Sequence, residues 1–215
     1  GGFIGSHMVK TLKSEGYYVV GADIKYPEFE ETLADNFFLC DLTDKVKFSQ
    51  IFSEEKHFDE IYQYAADMGG AGFIFTGEND ARIMHSSVSI NLNLLDLIGH
   101  HYDSLEKLKI FYSSSACIYP QQIQETTNNP GLKEDFAYPA NPDSEYGWEK
   151  LFSERLFLTY YKNFGLNVRI ARFHNIYGPQ GTWDGGKEKV PAAVCRKVAN
   201  SNMVDEIEIW GDGKQ

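Results

Sequence analysis

Three cysteines in 215 residues, Cys40, Cys117 and Cys195, are too few and too scattered for a disulfide framework, and no two of them stand in C-x-x-C spacing. Stapled secreted scaffolds are thereby excluded, a metal site is not expected, and a reducing, cytoplasmic compartment is. Positive charge is also short, since 20 Lys and Arg against 31 Asp and Glu leave a net charge of -11 and no basic run. A surface that tracks phosphate backbones needs the opposite balance, so nucleic acid is not an expected partner. No apolar stretch approaches the roughly 18 residues of a membrane span, and the opening residues lack a signal-peptide pattern, so no membrane partner is expected either. Internal repeats and low-complexity tracts are missing too. What is present is 42% hydrophobic and 14% aromatic residues, enough for a sizeable core, with small molecules or other subunits as the expected partners.

Read in order, the residues alternate helix and strand. The chain opens on Gly1-Gly2-Phe3-Ile4-Gly5 without a strand ahead of the glycines, and reads as a piece whose first strand precedes it. Gly2-x-x-Gly5 followed by Met8, Val9 and Leu12 at helical spacing suits the end of a dinucleotide fingerprint, where the backbone of Gly2, Phe3, Ile4 and Gly5 approaches a pyrophosphate. A glycine turn before any amphipathic helix has the same pattern. Residues 17–23 then read as an apolar strand ending in Asp23, about twenty residues after the glycines, where such folds hold the adenosine ribose. Asp23 accepts from ribose hydroxyls and repels a 2'-phosphate, which predicts NAD as the cofactor rather than NADP.

A strand over 37–42 carries Asp41, which reads equally as a contact to the adenine edge or as a loop or N-cap carboxylate for a helix over 45–56. A fourth strand over 59–66 ends in Ala65-Ala66 and opens into Asp67-Met68-Gly69-Gly70-Ala71-Gly72, whose glycines permit close ligand approach. Beyond it the pattern predicts a helix over 78–102, a strand over 105–113, a polar loop over 121–143, a helix over 146–164, a strand over 167–173, a helix over 192–201 and a short edge strand over 206–213. The expected fold is α/β, a Rossmann-type doubly wound parallel sheet. Residues 1–173 are expected to bind the dinucleotide, and 174–215 to begin a substrate-binding region that continues past the chain.

The chemistry concentrates in two stretches. The strand over 105–113 opens into Ser113-Ser114-Ser115-Ala116-Cys117, and Tyr146 and Lys150 stand four apart, on one helix face. A phenol titrates near pH ~10, and a neighbouring ammonium lowers that value, so Ser115, Tyr146 and Lys150 together can take a proton from an alcohol. Cys117 adds an acid/base group that alcohol oxidation does not need, although a cysteine after a strand is more often a small buried hydrophobe. The glycine-rich loop after the last long strand carries Lys187 and Lys189, each of which reads on residue type alone as a solvated charge or a phosphate contact. Asn175 is placed for substrate, whereas His174 reads equally as a packed core imidazole. Ser113 and Ser114 read equally as partners for strand-end backbone groups.

Gly1-Gly-Phe-Ile-Gly5, the strand ending in Asp23, Ala65-Ala-Asp-Met-Gly-Gly70, Ser114-Ser-Ala-Cys-Ile-Tyr-Pro120, Tyr146-x-x-x-Lys150, Arg172-Phe-His-Asn-Ile-Tyr-Gly-Pro179 and Gly181-Thr-Trp-x-Gly-Gly-x-Glu-Lys189 follow in order. A chain carrying all of them resembles the extended short-chain dehydrogenases that modify nucleotide sugars, the NAD-dependent epimerase/dehydratase family, over nearly its whole length. Within that family it is most similar to the branch that epimerises GDP-linked sugars. The resemblance implies that Tyr146, helped by Lys150 and Ser115, takes the proton of a sugar 4'-hydroxyl while NAD takes the hydride. It further implies that Cys117 and Lys189 remove and return protons at the two carbons flanking the ketone. Sugar contacts from Met68, Gly69, Gly70, Ser115, Asn175, Lys187 and Lys189 are implied as well, as is a homodimer packed through the helices over 78–102 and 146–164.

Rival readings remain. An epimerase-reductase acting on a GDP-linked keto-sugar spends NADPH, against which Asp23 and the extra Ala116 speak. A 4,6-dehydratase carries Asp-Glu where this chain has Ala116-Cys117, and a plain 4-epimerase leaves Cys117 and Lys189 without work. A nucleotide sensor or scaffold that has lost turnover is opposed by the intact Ser115, Tyr146 and Lys150.

Overall fold

Short apolar runs closed by turn residues become strands here, and longer amphipathic runs become helices. The computed structural model describes residues 1–215 apart from 56, 126–130, 205 and 210–215. Helix α1 (Phe3–Ser14) begins directly behind Gly2 and ends where Gly16, at φ 88, reverses the chain as only glycine does without strain. Strands β1 (Val20–Asp23) and β2 (Asn36–Leu39) pair in parallel, with Val20 opposite Asn36 and Asp23 opposite Leu39. Helix α2 (Lys45–Glu54) is capped by Asp44, whose carboxylate accepts from the amides of Val46 and Lys47, and it buries Phe48, Ile51 and Phe52. Then come β3 (Glu60–Gln63), the short α3 (Ala71–Ile74), α4 (Asp80–His101), β4 (Lys109–Ser115), a 3-10 turn (Ala116–Ile118) and the short α5 (Gln121–Gln124). A second 3-10 turn (Glu134–Ala137), α6 (Glu145–Phe164), β5 (Asn167–Phe173) and α7 (Val190–Asn200) complete the order. Strands β3, β4 and β5 form a three-stranded sheet in that order, with β3 and β4 parallel. Parallel β3 and β4, joined through α3 and α4, follow the Rossmann-type α/β arrangement that the alternation predicts.

Several boundaries differ from expectation for local reasons. Strand β3 stops at Gln63 because its side chain takes both backbone groups of Ala65: the Ala65 amide donates to Oε1 at 3.0 Å, and Nε2 donates to the Ala65 carbonyl at 3.2 Å. Strand β4 runs on through Ser115, past the expected end at Ser113. The polar segment over 121–143 is not all loop. It holds α5 and the second 3-10 turn, pinned where the Gln121 amide donates to the Asn141 carbonyl at 2.9 Å and where Pro120 and Pro142 form an isolated bridge. Of the expected edge strand over 206–213, residues 206–209 form no strand, and the Glu208 carbonyl accepts from Lys197 Nζ at 2.7 Å instead. The remainder lies outside the described residues.

The chain divides into two compact units, one of Gly1–Asp67, His85–Ser113 and Ser153–Ala171, the other of Met68–Met84, Ser114–Phe152 and Arg172–Gln215. In the first unit, Leu94, Leu95 and Ile98 of α4 pack with Ile110 and Tyr112 of β4 and Phe157 of α6. The Tyr112 and Phe157 rings stack with centroids 4.7 Å apart, fixing α6 on the strand. A buried polar network runs through this core: Gln63 Nε2 donates to Asn91 Oδ1 at 2.8 Å, and Asn91 Nδ2 donates to Ser153 Oγ at 2.9 Å. Asn91→Leu keeps the volume but removes both hydrogen bonds and leaves one N–H of the Gln63 amide without its acceptor. Denaturant unfolding of the full-length protein should show a loss of about 1–3 kcal/mol, the cost of a buried unsatisfied polar group.

The second unit has two smaller clusters. Phe73, Ile74, Ile83 and Tyr146 form one, with Cys117 packed against it, and Ile118, Tyr119, Ala137 and Leu151 form the other. Arg172, at the end of β5, donates to the Tyr119 hydroxyl at 3.1 Å and the Glu134 carbonyl at 2.7 Å. No helix among the described residues is long and apolar enough to cross a membrane.

Candidate active site

Ser115, Cys117, Tyr146, Lys150 and Lys189 all belong to the second unit. The end of β4 delivers Ser115, whose Oγ accepts from the Cys117 amide at 3.2 Å and so starts the 3-10 turn that carries the thiol. Helix α6 delivers Tyr146 and Lys150 one turn apart, 4% and 3% exposed. The Tyr146 hydroxyl is hydrogen-bonded to Ser115, and the Lys150 ammonium lies over the phenol ring, 5.7 Å from its centroid. Burial pushes the Tyr146 phenol well above its ordinary value, Cys117 and Glu149 act in the same sense, and the Ser115 hydrogen bond opposes them. The expected lowering by Lys150 is therefore not what this arrangement produces: the ammonium sits on the ring face, and desolvation wins.

Cys117 is half-buried, and burial raises its thiol. The hydrogen bond with Ser115 opposes that rise, the Asp143 carboxylate adds to it, and the Lys189 ammonium opposes it. Lys189 is the residue from which α7 starts, with a proline in the first turn, and its Nζ donates to the Gly69 carbonyl at 3.3 Å. Burial lowers the Lys189 ammonium, and Cys117 opposes the fall. Thiol and ammonium thus stand in each other's field, and both shifts favour the neutral forms.

Lys187 has a different environment. Its Nζ lies 4.1 Å from the centroid of the Phe73 ring, and the Arg82 guanidinium lies 5.3 Å from the same centroid. The two lysines that residue type alone leaves equivalent are separated by an aromatic ring and a thiol. Gly69 and Gly70 bear on this loop as well, because a Cβ on Gly70 would stand 2.6 Å from the Glu188 carbonyl oxygen. The glycine turn is packed against the backbone that presents Lys189. Met68 is 40% exposed, and Asn175 and His174 are both exposed, so His174 is not a packed core histidine.

Three residues that the pattern did not single out help build the site. A Cβ on Gly147 would fall on the Cys117 carbonyl oxygen and 2.9 Å from Pro142 Cβ, so α6 approaches the thiol turn only because this residue is glycine. The signal was available, since a glycine inside a helix costs about 0.5–1 kcal/mol against alanine and asks for a packing reason. Arg196 of α7 donates to Glu188 Oε1 at 2.9 Å and to the Trp183 carbonyl at 3.0 Å, bracing the loop ahead of Lys189. Asp143 stands just ahead of α6 and acts on Cys117. Neither of these two carries a distance-independent signal in the sequence.

Of the residues expected to hold a dinucleotide, Gly2, Phe3, Ile4, Gly5, Asp23, Asp41, Ala65 and Ala66 lie in the first unit, and Tyr146 and Lys150 lie in the second. Gly2 caps α1 without a side-chain hydrogen bond, the first turn of Phe3 and Ile4 carries no acid, and a Cβ on Gly2 or Gly5 would meet no atom within 4 Å. An uncapped, acid-free helix N-terminus of this kind fits a pyrophosphate. Asp23 ends β1 and accepts from the Lys25 amide at 3.2 Å. Asp41 accepts from the hydroxyl of Thr43 at 2.7 Å and its amide at 2.9 Å, which holds its carboxyl below the ordinary range. The N-cap of α2 is Asp44, so Asp41 does not cap that helix. Ala65 is fixed by Gln63 as described, and Ala66 follows it out of the sheet.

The model of the family described as NAD dependent epimerase/dehydratase matches residues 1–215. The chain is 45% identical over 217 aligned residues to the GDP-mannose 3,5-epimerase of Arabidopsis thaliana, covering 100% of this chain and 55% of that protein. It is 44% identical to GDP-mannose 3,5-epimerase 1 of Oryza sativa subsp. indica, covering 100% of this chain and 54% of that one. The chain thus spans about half the length of the curated relatives it matches. Among solved structures it is similar to the UDP-glucose 4-epimerase of Thermus thermophilus in complex with NAD, with a TM-score of 0.72 and 26% identity over 86% of this chain and 56% of that one.

Proposed function

The chain belongs to the NAD dependent epimerase/dehydratase family, and on that premise we propose that it forms part of a GDP-mannose 3,5-epimerase, converting GDP-D-mannose to GDP-L-galactose through a transient 4'-keto sugar. The observation that carries this reading is the second acid/base pair, Cys117 and Lys189, in the same unit as Ser115, Tyr146 and Lys150. Oxidation of an alcohol needs only the last three.

In this reading the phenolate form of Tyr146, which the Ser115 hydrogen bond favours against burial, accepts the proton of the sugar 4'-hydroxyl, and Lys150 holds positive charge over the ring. NAD, when bound, supplies reversible hydride acceptance at C4'. A 4'-ketone acidifies the hydrogens on C3' and C5'. Returning a proton from the face that lost it regenerates the starting sugar, so inversion needs a base on one face and an acid on the other. Cys117 and Lys189 are those groups, and Met68, Gly69, Gly70, Asn175 and Lys187 border the sugar.

Gly2, Phe3, Ile4 and Gly5 take the pyrophosphate, Asp23 the ribose, and Asp41, Ala65 and Ala66 border the adenosine half, within a dinucleotide domain over 1–173. Residues 174–215 begin the substrate region. Exposed Leu92 on α4 and Leu158 and Tyr161 on α6 support a homodimer through these helices, and three unpaired cysteines support a cytoplasmic setting.

The test is the cofactor account. Full-length protein should carry NAD through purification and convert GDP-mannose with no net change in NADH; stoichiometric NADPH oxidation would contradict the reading. The two lysines provide a second test. Lys189→Met should lower turnover by about 10²–10⁴-fold, the usual worth of a positioned acid or base. Lys187→Met, which removes a cation from the Phe73 ring, should cost far less, and equal losses in steady-state assays would contradict the assignment.

A further inference from the structure

We propose that Asp143 is a positioning residue of the reaction: held in the loop packed against the Cys117 turn, its carboxylate keeps the proton on the Cys117 sulfur against the pull of the Lys189 ammonium. This rests on the reading of Cys117 as a proton carrier.

Three contacts build the placement. Pro120 and Pro142 form a bridge, and the Gln121 amide donates to the Asn141 carbonyl at 2.9 Å, so the segment ahead of α6 is tied to the chain just after Cys117. Gly147 lies against both Pro142 and the Cys117 carbonyl, which brings that segment and the thiol turn to one point. Gln124 then clamps the carboxylate itself, since its Nε2 donates to the Tyr119 carbonyl at 2.8 Å and to Asp143 Oδ2 at 3.4 Å, while Ser144 Oγ donates to Oδ1 at 2.8 Å.

Burial raises the Asp143 carboxyl, and the hydrogen bonds from Ser144 and Gln124 oppose that rise, so the two donors both orient the charged form and favour it. Its field acts on Cys117 in the same sense as burial, and Lys189 acts in the opposite sense. Among the described residues, the Tyr146 phenol of the cluster that packs Cys117 is raised by its own burial, with Glu149 acting in the same sense and the Lys150 ammonium over its ring, while the Arg82 and Lys187 cations stand at the Phe73 ring of that cluster. Asp143 and Lys189 are therefore opposed charges acting on one thiol, and their balance sets which member of the Cys117–Lys189 pair starts protonated.

The test is the pH dependence of iodoacetamide alkylation of the Cys117 peptide, read by mass spectrometry on the full-length protein without sugar. Asp143→Asn should lower the midpoint by about one pH unit, speeding alkylation about tenfold below it, as expected for loss of a neighbouring like charge. Asp143→Glu should keep the wild-type midpoint, and Lys189→Met should raise it. Should Asp143→Asn fail to fold, Asp143→Ser removes the same charge. An unchanged midpoint in the charge-removing variant, or an equal shift in Asp143→Glu, overturns the proposal. Because alkylation needs no turnover, that failure leaves the epimerase reading standing, whereas absence of epimerisation in the wild type would leave the thiol titration intact.

Discussion

Cys117→Ser in the full-length protein is expected to lose solvent-deuterium incorporation at C3' and C5' of GDP-mannose by about 10²–10⁴-fold while still reducing its bound NAD. Serine nearly preserves the shape of the residue packed against Tyr146, Phe73 and Ile83, so the cluster should survive. What changes is the proton chemistry. A thiol titrates near pH ~8.5 before any perturbation, and a hydroxyl does not ionise in a useful range. Ser115, Tyr146 and Lys150 are untouched, and the alcohol should still be oxidised. The two readouts therefore separate: NADH absorbance should appear in a single turnover, and the exchange signal should not. Undiminished exchange would remove Cys117 from the mechanism.

The second large effect is structural. Gly147→Ala adds one methyl group where the Cys117 carbonyl oxygen already stands, with Pro142 Cβ at 2.9 Å. Replacing glycine by alanine inside a helix ordinarily gains about 0.5–1 kcal/mol. Here the obstacle is backbone, which cannot rotate away, so either the α6 start or the Cys117 turn must move. Overpacking of this kind costs about 1–3 kcal/mol, more than the helix gains. A displacement near 1 Å at the reacting groups can cost about 10²-fold in rate. Denaturant unfolding and turnover should both fall, and a variant at least as stable and active as the parent would show that the contact is not a constraint.

How far the sequence alone carries depends on whether the deciding contact is local. Strand β5 falls on the expected residues because its apolar run is flanked by turn signals on both sides. The partnership of Tyr146 with Lys150 follows from helical spacing alone. Where distant residues decide, the pattern is silent. Lys187 and Lys189 are told apart by Phe73, by Gly69 and by Cys117, none of which is near them in sequence. Strand β3 ends early because a glutamine side chain replaces the next backbone partner. The phenol of Tyr146 moves opposite to the local expectation because burial, a property of the whole unit, outweighs one lysine four residues on. Asp143 reads as an ordinary loop acid until Gln124 and the Pro120–Pro142 bridge bring it to the thiol.

The central claim, that oxidation at C4' serves to exchange protons at its two neighbours, is tested most directly by proton NMR of the full-length protein with GDP-mannose in deuterated water. Deuterium should enter C3' and C5' as epimerised GDP-sugars appear, with C4' retaining its own hydrogen. Inversion at C4' without solvent exchange at either neighbour would contradict it.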